Sequence, residues 1–357
     1  MQKRFYNINV FRIWFTLTII YGHIIQHWMM PHYGETPFFT NLYRHTSYAF
    51  GYLCEGFFII SGFFMFFTFL KKPSFEKLII SKIARLWPVI VFSLLGFFVL
   101  SLFGFVKFEK YGNIPALFFL NTALTPVPFN DGGAWYINAM FWGYVFYYCL
   151  DKVVREDIKI YVFSLITFFG YSILLNKLHL YNQPQIFCQL LSYSMIRGLA
   201  GMGFGYILAY VYNKKAETNN NKKYNIYKTI IEIFFIILLI KISIIKKTNS
   251  AFPIMLISFT ILFLDFIFNK GFLSKITNKK IFDALGRYCY STYMMQGIGF
   301  HLANKFLWNS TKYGVHQHPI INIWGGVLLC IVLGLITYHI VEIPAKNFIL
   351  RKFNKEP

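Results

Sequence analysis

The sequence predicts an all-α integral membrane protein of about ten transmembrane helices, with both termini cytoplasmic. Three observations carry this reading. The 357 residues are 56% hydrophobic and 21% aromatic but only 14% charged, where an ordinary soluble domain is about 25% charged. The apolar residues gather into ten stretches near the length of a membrane helix, about 20 residues. The Lys and Arg residues lie between those stretches, alternately dense and sparse. Mean hydropathy is +0.48, and 12 Pro with 24 Gly are too few for a low-complexity chain. Disorder, collagen-like repeats and coiled coil are excluded.

In chain order, the first stretch spans residues 9–30. No small-residue cleavage site follows a short apolar core there, so it reads as a retained span and not a signal peptide. The second, 49–70, carries Glu55 and then Phe57-Phe58-Ile-Ile-Ser61-Gly62-Phe63. The third, 84–105, follows a basic run. The fourth, 134–150, opens on Trp135-Tyr136. After 158–176 comes 187–212, in which Arg197 precedes Gly198, Gly201, Gly203 and Gly205. Stretches 226–245, 251–268, 282–304 and 320–341 complete the set. No internal repeat stands out, and residues 1–357 read as a single membrane domain.

Orientation follows from the loops. Of 35 Lys and Arg, 23 fall in the terminal and even-numbered connecting segments, 8 in the odd-numbered ones and 4 within spans. The positive-inside rule puts the dense set, and so both termini, in the cytoplasm. A net charge of +21 would suggest nucleic acid in a soluble domain. Here topology and anionic membrane lipid explain it, so nucleic acid is not expected as a partner. Five cysteines, all in apolar stretches and without a CxxC pair, indicate neither a disulfide framework nor a metal site. The longest outer segment, about 106–133, ends Thr125-Pro-Val-Pro-Phe-Asn-Asp-Gly-Gly133. It reads either as a substrate-facing loop or as an interfacial anchor.

Ionisable residues inside a span are expensive and mark functional candidates. Arg12 and His23 are eleven residues apart, three turns plus about 20° of helix, so they share one stripe roughly 16 Å long. Each alone has a plain structural reading, snorkelling for Arg12 and a bonded interior imidazole for His23. Glu55 lies about 9 Å below the outer face and at a depth similar to His23. A carboxylate beside an imidazole fixes its tautomer, as a general base needs; a buried pair kept for packing is the alternative. Ser61-Gly62 lies deeper and admits a second backbone. Arg197 reads as a further anion site or as the ion partner of Asp265 or Glu232. Lys82 and Arg85 suit phosphate groups, Arg by bidentate bonds and Lys as a point charge, or serve topology alone.

Taken in order, Arg12-x10-His23, Phe57-Phe58-Ile-Ile-Ser61-Gly62-Phe63, Lys82-Ile-Ala-Arg85-Leu-Trp-Pro88, Trp135-Tyr136-Ile137, the Gly286…Ser291…Tyr293 segment and Glu342-Ile343-Pro344 resemble the acyltransferase 3 family of bacterial membrane proteins. The resemblance implies transfer of an acyl group, usually acetyl, from cytoplasmic acyl-CoA to a hydroxyl of a surface glycan or its lipid-linked precursor, without a metal, in the bacterial cytoplasmic (inner) membrane. It implies His23 as the catalytic base with Glu55 beside it. Arg12, Lys82, Arg85 and Ser61 would face the donor, and Trp135, Tyr136, Tyr290 and Tyr293 the acceptor. Four positions depart from the family pattern: Asn9 stands where an Asp often precedes the arginine, and Met140, Gln296 and Lys82 replace Glu, His and Arg. Two other functions fit polar residues in a helical membrane protein, a transporter or flippase for a lipid-linked sugar and a non-catalytic scaffold. A transporter predicts broken helices and internal symmetry.

Overall fold

The computed structural model describes residues 5–29, 49–120, 130, 133–176, 186–187, 191–218, 225–244, 250–309, 314–315 and 318–353, and 87% of them are helical. Helix α1, Ile8–His23, continues as a π-helix, Ile24–Met29. A 3₁₀ turn, Ala49–Leu53, leads into α2, Cys54–Phe69. There follow α3 (Phe75–Leu102), α4 (Lys110–Leu117), α5 (Ala134–Val153) and α6 (Glu156–Asn176). Two short antiparallel strands, β1 (Ile186–Phe187) and β2 (Leu191–Ser192), precede α7 (Tyr193–Thr218). Then come α8 (Ile226–Ile244), α9 (Ala251–Phe268), the single-turn α10 (Phe272–Ile276) and α11 (Lys280–Ala303). The chain closes with α12 (Pro319–Thr337), a π-helix (Tyr338–Glu342) and α13 (Ile343–Phe353).

Each of the ten apolar stretches holds one long helix. Among the described residues, six helical segments are long and apolar enough to cross a membrane: Ile8–Met29, Phe50–Phe69, Phe75–Leu102, Glu156–Asn176, Ala251–Phe268 and Pro319–Phe353. The protein is thus a multi-pass, helical membrane protein. Helices α5, α7, α8 and α11 carry more tyrosine, glycine or charge. Several boundaries differ from expectation, two of them helix starts displaced by six residues or more. Helix α3 begins nine residues early because the Ser74 hydroxyl accepts from the Lys77 amide (3.3 Å) and Glu76 occupies the first turn, a favourable N-terminus. Its 28 residues measure about 42 Å, so Lys77, Lys82 and Arg85 belong to the helix and not to the loop before it. Helix α7 begins at Tyr193, after the β1–β2 pair, a small exception to the all-α expectation. Much of the 106–133 segment, residues 121–129 and 131–132, lies outside the described residues, as does Cys188.

The chain forms two compact units. The first holds Met1–Phe67, Val162–Leu178 and Gly201–Cys289. Its centre is the crossing of α2 and α7: a Cβ at Gly62 would overlap the Met202 carbonyl, and one at Gly205 the Ile59 carbonyl. Only glycine lets the two backbones meet. Phe11 and Phe15 pack α1 on Phe259 of α9 (both 5.4 Å between centroids). Polar ties gather at one end. Asn7, at the start of α1, donates to the Phe266 carbonyl at the end of α9. Lys228, early in α8, pairs with Asp265 (2.8 Å). The buried Glu232 carboxylate accepts from the Leu273 and Ser274 amides and caps α10. At the opposite end Tyr52 meets Phe252 at the start of α9, and Tyr171, late in α6, meets Glu55 at the start of α2. Within this unit, packed helices therefore run in alternating directions as successive membrane crossings would.

The second unit holds Thr68–Tyr161, His179–Ala200 and Tyr290–Pro357. Trp87 of α3 donates to the Leu117 carbonyl (3.0 Å) and Trp142 of α5 to the Phe119 carbonyl (2.9 Å). Phe119 stacks on Phe141 (4.3 Å). Asn130 exchanges hydrogen bonds with Asn113 and donates to the Lys107 carbonyl, which pins the described part of the 106–133 segment. Ser291 of α11 donates to Glu342 (2.6 Å), both buried.

Candidate functional site

Arg12 and His23 stand on one unbroken α-helix, so the roughly 16 Å between them is set by helical rise. Ile8, Phe11, Phe15 and Ile19 on the same helix are no more than 1% exposed, and this packing fixes the helix's rotation. Arg12 Nη1 donates to Asn9 Oδ1 (3.2 Å), and the guanidinium carbon lies 5.2 Å from the Phe64 ring centroid. His23 is the last α-helical residue, and π-helix starts at Ile24. Its ring sits edge-on to Phe50 (5.3 Å) and 5.4 Å from His27, which lies in the π segment. Local π-helix recurs at functional positions, and it has no signature in hydropathy.

Glu55 is fully buried. One carboxylate oxygen accepts from the Tyr171 hydroxyl (2.8 Å) and lies where a Cβ on Gly201 would fall. The next residues along α2, Gly56 and Phe57, meet Phe15 of α1. His23 and Glu55 thus occupy the same end of the first unit, Phe50 preceding Glu55 by five residues; Phe50 and His27 lie beside the imidazole, Tyr171 and Gly201 beside the carboxylate. Tyr171 is a neighbour of Glu55 that sequence reasoning missed. Its signal would have been a tyrosine near the outer end of a predicted span. Ser61 is half-buried, beside the Gly62 crossing.

The remaining expected residues belong to the second unit. The Lys82 ammonium lies 3.5 Å from the Tyr144 ring centroid, and Arg85, in the same part of α3, is exposed. Trp135 lies under the guanidinium of buried Arg197 (5.1 Å). Asp265 and Glu232, the acids weighed as partners for Arg197, are engaged by Lys228 and the α10 amides. Tyr136 meets both Trp135 (6.1 Å) and Tyr293 (6.3 Å) edge to face, so three of the four expected acceptor-side aromatics are neighbours. Tyr136 also donates to Met140 Sδ (3.5 Å). The Tyr290 hydroxyl is committed to the Leu86 carbonyl (2.6 Å), a tie between α11 and α3.

Residues 5–339 match the family model described as an acyltransferase domain, acyltransferase 3. No curated protein and no solved structure gives a match. The family match covers nearly the whole chain, and the chain belongs to that family of membrane acyltransferases.

Proposed function

We propose that this member of the acyltransferase 3 family is a bacterial cytoplasmic-membrane O-acyltransferase. It moves an acyl group, acetyl above others, from cytoplasmic acyl-CoA to a hydroxyl of a surface polysaccharide or its lipid-linked precursor. The observation that carries the reading is the unbroken helix joining Arg12 to His23 in a chain of this family. A cation and an imidazole about 16 Å apart on one stripe suit a donor whose phosphates and thioester are joined by a long flexible arm. The alternating helix directions within the first unit, with the dense basic segments, support an N-in arrangement of about ten spans. Arg12 then lies toward the cytoplasm and His23 toward the outer face.

In the proposed reaction His23 takes the proton of the acceptor hydroxyl as its oxygen attacks the thioester carbonyl. The carbon–sulfur bond breaks, and the CoA thiolate leaves with the proton that the imidazole returns. Glu55, held by Tyr171, places negative charge at the same end of the unit and favours the imidazolium. Arg12, Lys82, Arg85 and Ser61 are assigned to the donor, and Trp135, Tyr136, Tyr290 and Tyr293 to the acceptor sugar, whose apolar faces stack on aromatic rings. The test is incubation of purified protein with labelled acetyl-CoA and candidate glycans. Release of CoA with label on the glycan supports the reading. Glycan or lipid-linked sugar moved across a vesicle with no donor consumed would replace it with a transporter.

A further inference from the structure

Asn9 joins two helices that are far apart in sequence. Its Oδ1 accepts from Arg12 Nη1 (3.2 Å), and its Nδ2 donates to Asp283 Oδ1 (3.4 Å) on α11. The other Asp283 oxygen accepts from Arg287 Nη2 (2.7 Å). Arg12, Asn9, Asp283 and Arg287 thus form one line of hydrogen bonds, all within the first unit. Gly286 makes room for it: a Cβ there would stand 2.7 Å from the Asn9 side chain. A carboxamide suits the middle position because it accepts from a guanidinium on one atom and donates to a carboxylate on the other.

The four side chains hold two positive charges and one negative. They lie at the end of the unit where α1, α8 and α11 begin, the end flanked by the dense basic segments. The Arg287 side chain is 58% exposed and that of Asp283 30%, so a ligand can reach them. Arg12 is steadied from below by the Phe64 ring. Guanidiniums recognise phosphate through paired N–H donors, and side chains already fixed in place lose less freedom on binding. An exposed i,i+4 ion pair alone contributes little to stability, so the Asp283–Arg287 pair has little structural reason of its own.

We infer that Arg12 and Arg287 form one two-arginine receptor for the phosphate groups of the acyl donor, with Asn9 and Asp283 as its positioning residues. The identity of the anion rests on the proposed function; the anion site itself does not. Asn9 keeps the line net positive. An aspartate there would cancel the surplus charge and set two carboxylates side by side.

The full chain, purified in detergent, is titrated with CoA and with adenosine 3′,5′-bisphosphate, the donor's nucleotide end without its arm. Wild type should bind both. Arg12→Ala and Arg287→Ala should each weaken both ligands at least tenfold, and together by no more than the product. Arg287→Lys should recover part of the loss, Asn9→Asp should weaken both ligands severalfold, and the melting temperature of Arg287→Ala should match wild type. Affinities within twofold of wild type in both Arg287 variants would overturn the inference and leave the acyltransferase reading standing. Arginine-dependent binding of the bisphosphate by a protein that never consumes acyl-CoA would do the reverse. Wild type that binds neither ligand would refute the site.

Discussion

Ser291→Ala removes a 2.6 Å hydrogen bond from a hydroxyl that is fully buried to a Glu342 carboxylate that is 4% exposed. Among the described residues Ser291 is the hydrogen-bond donor to that carboxylate. A hydrogen bond to a charged group contributes about 1.5–3 kcal/mol. With an unfolding entropy of about 2.1 cal/mol/K per residue, the 357-residue chain melting in one transition has roughly 0.75 kcal/mol/K, so Tm should fall by about 2–4 °C. Glu342→Gln keeps the shape and an acceptor oxygen but leaves a neutral bond, about 0.5–1.5 kcal/mol. In that background Ser291→Ala should cost about 1 kcal/mol less than in wild type. Melting of the four proteins of the cycle, followed by tryptophan fluorescence in one detergent, measures the coupling. Strict additivity, or a Ser291→Ala protein melting with wild type, would refute the argument that this pair clasps α11 to the end of the chain.

Two further expectations follow from the geometry. Gly62→Ala should lower stability by about 1–3 kcal/mol despite alanine's better helix propensity, because the overlapped atom is a backbone carbonyl that cannot rotate away; detergent melting at or above the wild-type temperature would contradict it. Arg85→Ala should raise the apparent KM for acyl-CoA with little change in kcat if the contact is equal in ground and transition states. Arg85→Lys should recover only part, the bidentate fork being lost, and an unchanged donor KM in both would remove Arg85 from the donor site.

What was legible in the sequence and what was not divide along physical lines. Apolar runs locate helices, so all ten long helices were visible. Hydropathy is blind to helical turns that are polar, and so the first nine residues of α3 were read as loop although Ser74 and Glu76 signalled a start. Periodicity of 3.6 cannot announce a π-helix, and the change of phase just after His23 was not foreseeable. The Arg12–His23 stripe is a property of one helix and was readable. The partners of Glu55 and Asn9 are tertiary: Tyr171 lies 116 residues from Glu55 and Asp283 lies 274 from Asn9. Asn9 stands at a departure from a family pattern, and only the fold shows its packing against Gly286 and Asp283. Likewise the sequence offers Arg197 an anion, Asp265 or Glu232 as partner, and only the fold shows Trp135 beneath it.

The central claim is that His23 is the base of an acyl transfer. It is tested most directly by comparing wild type and His23→Ala, purified and equally folded by melting, in release of CoA from labelled acetyl-CoA with a glycan acceptor. Loss of a general base commonly costs about 10²–10⁴-fold, so the variant should fall by at least a hundredfold in kcat while its affinity for CoA, set near Arg12, stays within twofold. Activity within threefold of wild type would contradict the account.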